Sequence, residues 1–178
     1  MYDLTMKLAF QEAHRRVDHQ IRRAISRARS CLDTHVPYLM GGKTPDGLDC
    51  SGLITHCVPR VLPEGVQKQF EHLRKWMFVG DEIKYIDMGD IIFFAEKTSN
   101  NKISHVGIVE KTINTNVLII HSSEYQKGVV RDIFDTKQNS FRESYLVVGV
   151  AKLRPFLFRC FLKDEINKEV GLANRITW

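Results

Sequence analysis

Among the 178 residues of this chain are four cysteines and seven histidines, and their surroundings single out Cys50. A thiol becomes a good nucleophile when its thiolate is stabilised. The N-terminus of a helix does this with unpaired backbone N–H groups and the positive end of the helix dipole. Asp49-Cys50-Ser51-Gly52 places a turn-forming acid before the cysteine and small residues after it, so backbone amides can approach a substrate carbonyl there. Cys31, Cys57 and Cys160 lack that setting. The four cysteines form no CxxC pair and no regular framework, which reads as free thiols.

A cysteine nucleophile needs a base, and two histidines sit in strand-like runs, His105 in Ile103 to Val109 and His121 in Val117 to His121. Odd positions share a face in each run. With the intervening turn centred near Ile113, the two histidines face each other across an antiparallel pair, with Cβ atoms about 5 Å apart. One imidazole could then orient the other while that one reaches Cys50, a Cys-His-His relay. A one-residue shift of the turn would send one histidine to the opposite face. His14, His19, His35, His56 and His72 have no such arrangement and read as packed or solvated side chains. The His56-Cys57 pair matches no common zinc spacing, so neither metal nor cofactor is expected.

The elements that must position these groups are legible in the periodicity. Ile21, Ala24, Ile25, Ala28 and Leu32 recur at helical spacing, with Arg22, Arg23, Arg27 and Arg29 on the other faces, predicting an amphipathic helix that begins well before residue 21. Val36 to Asp49 is dense in breakers and reads as an ordered loop. Leu53, Ile54, Cys57 and Val58 then share a helical face, and Pro59 and Pro63 limit this helix to two or three turns, with Cys50 at or near its start. Val66, Phe70 and Leu73 suggest another short helix. Strands are expected over 90–95, 103–111, 116–121 and 145–153, with a weaker one over 128–133. Helices followed by an antiparallel sheet define an α+β chain. The apolar run Pro155 to Leu162 must be buried, either on the domain's own core or against a partner protein.

The segments Val36-Pro37-Tyr38, Gly41-Gly42 and Gly47 to Ile54 resemble the nucleophile region of the NlpC/P60 family of cysteine peptidases. Gly89 to Phe94, Ser104 to Val109 and Ile119 to Ser122 resemble that family's strand motifs in the same order. The resemblance covers roughly residues 20 to 153 and is specific as a combination. It implies a papain-like α+β fold with an N-terminal helical part packed on an antiparallel sheet; the chain as a whole then reads as one catalytic domain over 1–153 with a helical extension over about 1–32, and an apolar tail over 154–178 packed on it. It further implies hydrolysis of peptide or amide bonds in peptidoglycan stems, commonly between D-γ-glutamyl and a diamino acid. Carried over by position, Cys50 is the nucleophile, His105 the general base and acid, and His121 the orienting third residue. Tyr38 lends its hydroxyl near the oxyanion, beside the Cys50 N–H. Asp49 and Ser51 match positions that contact the stem peptide in some members, and the same residue types also cap a helix. Met40 departs from the Trp that many relatives carry. A chain of this length leaves no room for the SH3-like wall-binding domains that often precede the catalytic unit, so selection for a free N-terminal L-alanine is not implied.

Composition bounds the alternatives. With 43% hydrophobic and 26% charged residues the chain can bury a sizeable core. A net charge of +5 is modest, and no nucleic-acid partner is expected. The first residues lack a basic n-region and an apolar run, which as a sequence feature suggests a cytoplasmic protein or export by a specialised route; the substrate implies the envelope or muropeptide recycling. Two other classes compete. Lipid-directed acyltransferases and lipases of related fold place the histidine motif before the cysteine, the reverse of the order here. A non-catalytic binding module would have little reason to keep Tyr38, Cys50, His105 and His121 together.

Overall fold

The computed structural model describes residues 2–79, 85–98, 102–138, 140–142 and 144–173. The last five residues of the predicted tail lie outside the described residues. Helix α1 (Tyr2–Asp33) buries Ala9, Ala13, Val17, Ile21, Ala24, Ile25, Ala28 and Cys31, a stripe spaced by three and four residues along its whole length. Its basic face is partly committed to internal contacts. Arg27 donates to the Cys57 carbonyl and Arg29 to the Glu110 carboxylate.

The breaker-rich loop carries two short strands, β1 (Lys43–Thr44) and β2 (Gly47–Leu48), and leads into α2 (Cys50–Cys57). The Val58 N–H closes α2 on the Ile54 carbonyl, just ahead of Pro59. Helix α3 (Val66–Leu73) follows, then β3 (Met77–Phe78), β4 (Ile91–Glu96), β5 (Ile103–Ile113), β6 (Asn116–Ser123), β7 (Gly128–Asp135), β8 (Ser140–Phe141) and β9 (Tyr145–Ala151). The strands form an antiparallel sheet in the order β3-β9-β4-β5-β6-β7, with β8 on β9.

Both faces of this sheet are covered, which explains why β4 reads as an unbroken apolar run. On one face Phe93, Val106, Ile108 and Ile120 pack with α1 and with Leu53 and Ile54 of α2. On the other, Ile92, Phe94, Val109, Ile119, Phe134 and Phe141 form a second core. Lys152 ties the end of β9 to the turn before β4 through Asp87, Asp90 and the Tyr85 carbonyl.

The predicted last strand stops at Ala151, because Leu153 already begins helix α4 (Leu153–Ala173). The apolar tail is this helix. Phe156 and Leu157 are buried in the α1-side core, Phe158 stacks on Phe10 and His14, and the Arg16 guanidinium lies over the Phe161 ring. Ion pairs from Arg16 to Glu165 and from Arg154 to Asp18 rim the contact. Among the described residues no helix is long and apolar enough to cross a membrane.

Candidate active site

Cys50 is the first residue of α2, where Asp49 is the cap. The Asp49 carboxylate accepts from the Gly52 N–H at 2.5 Å and the Ser51 hydroxyl at 2.9 Å, and its other oxygen accepts from the Gly41 N–H at 3.0 Å. Both polar neighbours of the cysteine are thus engaged in building the helix start and pinning the preceding loop to it. The Ser122 hydroxyl fixes the Leu48 carbonyl at 2.6 Å, and the buried Gln69 amide donates to the Ser51 carbonyl and the Thr55 hydroxyl. The nucleophile's backbone is therefore held from the sheet and from α3. Neither Ser122 nor Gln69 was marked by sequence reasoning as a support for it.

Tyr38 is anchored by its own N–H to the Lys127 carbonyl and pairs with Leu48. Its hydroxyl meets the Met40 sulfur at 3.7 Å, so the residue that departs from the family pattern touches the predicted oxyanion donor. Burial and the neighbouring Cys50 push the Tyr38 phenol up to about 12, so it is a neutral donor.

The two histidines meet, by a different route from direct opposition. The β5–β6 turn falls on Asn114 and Thr115, with Ile113 opposite Asn116, not centred near Ile113. A regular ladder from that turn would put His105 and His121 on opposite faces. A β-bulge between Val109 and Lys111 absorbs Glu110, so that Ile108 pairs with Ile120. His121 then comes against Gly107, whose added Cβ would stand 3.3 Å from the His121 Cβ, and His105 reaches it diagonally. The rings cross edge to face with His105 Nε2 2.8 Å from His121 Nδ1. The displaced Glu110 is buried and accepts from Arg29 at 2.7 Å and from Arg131 at 2.5 and 2.8 Å, so two arginines hold the bulge in place.

Beyond the pair, His121 Nε2 donates to Asp132 Oδ2 at 2.8 Å. Asp132 lies on β7 opposite Ile119, which puts it on the face of His121. The even alternation of 117, 119 and 121 contained that signal, although the register of β7 was not legible in the sequence.

Cys50, Ser51, Asp49, Tyr38, His105 and His121 line one cleft of about 460 Å³, with Glu124, Arg142 and Tyr145 among its other walls. His14, His19, His35, His56 and His72 do not line it. His14 and His72 instead pack against Phe158 and Phe156. Among the described residues no cluster of three or more His, Cys, Asp or Glu could hold a metal.

The electrostatics correct one expectation. Burial, followed by the Asp49 carboxylate, pushes the Cys50 thiol up to about 11, although backbone N–H groups of Val106, Ser51 and Cys50 pull the other way. Burial, together with His121 and Arg142, drives His105 down to about 3. The helix N-terminus therefore moderates the burial penalty without overcoming it, and burial favours the neutral form of both the thiol and the imidazole. The thiol rests against the Ser104 carbonyl at 4.0 Å.

Helices packed on an antiparallel sheet, with a cysteine at a helix start sharing a cleft with an imidazole chain, define a papain-like α+β protein. The chain belongs to the NlpC/P60 family, whose sequence model matches residues 35–149. Among solved structures it is similar to NlpC2 from Trichomonas vaginalis, with 25% identity and a TM-score of 0.58 over 75% of this chain and 46% of that one. A NlpC/P60 family protein from Bacillus cereus is 24% identical, with a TM-score of 0.55 over 76% of this chain and 40% of that one. The NlpC/p60 domain of the peptidoglycan hydrolase SagA is 18% identical, with a TM-score of 0.50 over 74% of this chain and 97% of that domain. The last two likenesses concern the fold. The chain spans less than half the length of the first two of these proteins. No curated protein matches it.

Proposed function

We propose that this protein is a cysteine peptidase that cleaves an amide bond in peptidoglycan stem peptides, at the D-γ-glutamyl–diamino acid linkage, through an acyl-enzyme on Cys50. The observation that carries the reading is the shared cleft of Cys50 and His105, with His105 backed by His121. Family membership supports the substrate class.

The neutral resting pair shapes the mechanism. As Cys50 Sγ attacks the carbonyl carbon, its proton passes to His105, and the negative charge moves to the carbonyl oxygen rather than resting on sulfur. The Cys50 N–H and the Tyr38 hydroxyl are the donors for that oxygen. His105 returns the proton to the departing amine as the C–N bond breaks, leaving a thioester. Water, deprotonated by His105, then attacks the thioester, and the sulfur leaves with that proton. His121 orients His105 throughout and shares the charge it acquires. Asp49 and Glu124 stand in the cleft with Arg142, so a stem bearing both ammonium and carboxylate groups finds complementary charge there.

Incubation of wild type and Cys50→Ala with digested peptidoglycan of several wall chemotypes, read by mass spectrometry, tests the reading. New fragments split at one stem bond and made only by the wild type are expected. Equal fragments from the alanine variant would remove Cys50 from the chemistry, and no fragments from any chemotype would overturn the substrate class.

A further inference from the structure

We infer that Asp132 is a fourth, positioning member of the centre, which sets the proton arrangement of both imidazoles so that the nitrogen of His105 not bonded to His121 is a bare acceptor. The inference rests on the reading of Cys50 and His105 as nucleophile and base.

The argument is an accounting of protons. An ionised carboxylate only accepts, so the His121 Nε2 that lies 2.8 Å from Asp132 Oδ2 must carry hydrogen. A neutral imidazole has one N–H, and burial drives both rings down and keeps them neutral. His121 Nδ1 is therefore an acceptor. Across the 2.8 Å contact the donor is then His105 Nε2, which leaves His105 Nδ1 with a lone pair for the cleft. The reverse arrangement would put hydrogen on Nδ1 and block it as a base. Asp132 thus selects the working tautomer from two residues away, and its charge favours the imidazolium that forms during attack.

Asp132 is itself held for this task. Its Oδ2 accepts from Gln126 Nε2 at 3.2 Å and from the Arg142 guanidinium, and the side chain is half-buried. The Arg142 guanidinium in turn lies over the Phe141 and Tyr125 rings. All three donors converge on one oxygen, so an asparagine can present its carbonyl oxygen to the same partners. Asp132→Asn therefore keeps the tautomer and loses the charge, whereas Asp132→Leu loses both.

Nitrogen-15 NMR of the imidazoles at neutral pH tests the wild type first. Both His105 and His121 are expected to carry hydrogen on Nε2, and hydrogen on Nδ1 of either ring overturns the inference whether or not any variant folds. In Asp132→Leu this preference is expected to be lost, with kcat reduced by about 100-fold or more and KM within a few-fold; Asp132→Asn should retain the tautomers and fall between the two. Unchanged tautomers and kcat in Asp132→Leu would make Asp132 merely structural. If the wild type cleaves no stem peptide, the peptidase reading fails while the NMR comparison still decides the role of Asp132.

Discussion

Gly52→Ala separates what helix propensity predicts from what the packed site predicts. Gly52 lies in the first turn of α2, and alanine in a helix is favoured over glycine by about 1 kcal/mol, so propensity alone calls for stabilisation. The structure calls for the reverse. An added Cβ would stand 1.9 Å from the Gly42 carbonyl oxygen and 3.2 Å from Asp49 Oδ1, so the first contact is about 1.5 Å short of ordinary packing. The Gly42 carbonyl cannot easily retreat, because it accepts from the Asp49 N–H at 3.1 Å and Gly42 is itself pressed against the Gly47 carbonyl. Forced separation combines overpacking of about 1–3 kcal/mol with a lost hydrogen bond of about 1 kcal/mol, and the propensity gain of about 1 kcal/mol offsets part of this, for a net loss of about 1–3 kcal/mol. Calorimetry should show this as a fall in Tm of roughly 2–12 °C. Hydrolysis should fall further than stability does, since the displaced loop leads back to Tyr38 and carries Asp49. Gly41→Ala is the control. Its Cβ would enter open space, and only its left-handed φ of 73° is strained, at a cost of about 1 kcal/mol. A Gly52→Ala protein as stable as the wild type or more so would refute the close approach of loop and helix.

Other consequences are open to simpler measurement. Because the Cys50 thiol is pushed up to about 11, only about one molecule in ten thousand carries thiolate at neutral pH. Alkylation of Cys50 in the free protein should accelerate steadily with rising pH through the alkaline range; a plateau of fast labelling in mild acid would instead reveal a thiolate–imidazolium pair. Glu110→Gln should lower stability by about 1–2 kcal/mol, discounted for the half-exposed arginines that Glu110 binds, and should weaken the ring-to-ring NOE between His105 and His121 as the bulge loses its clamp. Unchanged unfolding and an intact NOE would show that the bulge persists without that carboxylate.

The course of the chain was largely legible because its local signals agree with its packing. The stripe from Ile21 to Leu32, the Pro59 stop after α2 and the apolar run of β4 each carry one periodicity with one structural meaning. Cys50 was legible for the same reason, since a helix start is marked by local signals, and the strands that carry His105 and His121 were legible too, but the meeting of the two rings depends on the bulge between them. What escaped depends on long-range contact. Glu110 is an acid among valines and lysines in sequence, and only Arg29 on α1 and Arg131 on β7 explain why it is buried and the ladder bulged. Asp132 looked like any polar residue of a weak strand until the β6–β7 register set it beside His121. The helix terminus that favours the Cys50 thiolate is visible in sequence, and the burial that opposes it is not.

That burial and the Asp132 chain answer one another. A centre whose thiol and imidazole both rest neutral gains nothing from a preformed ion pair, so charge must develop during attack. Each group that bears it must be provided for in advance. The oxyanion has the helix start and the Tyr38 hydroxyl; the imidazolium on His105 draws on what stands behind it, since the Phe94 and Tyr145 rings lie against it. His121 alone is neutral and supplies a dipole. Asp132 supplies the compensating negative charge; burial works against its ionisation, but the His121 and Arg142 hydrogen bonds together hold that carboxylate below its ordinary range. The more deeply the centre is buried, the more the reaction depends on the far end of this chain.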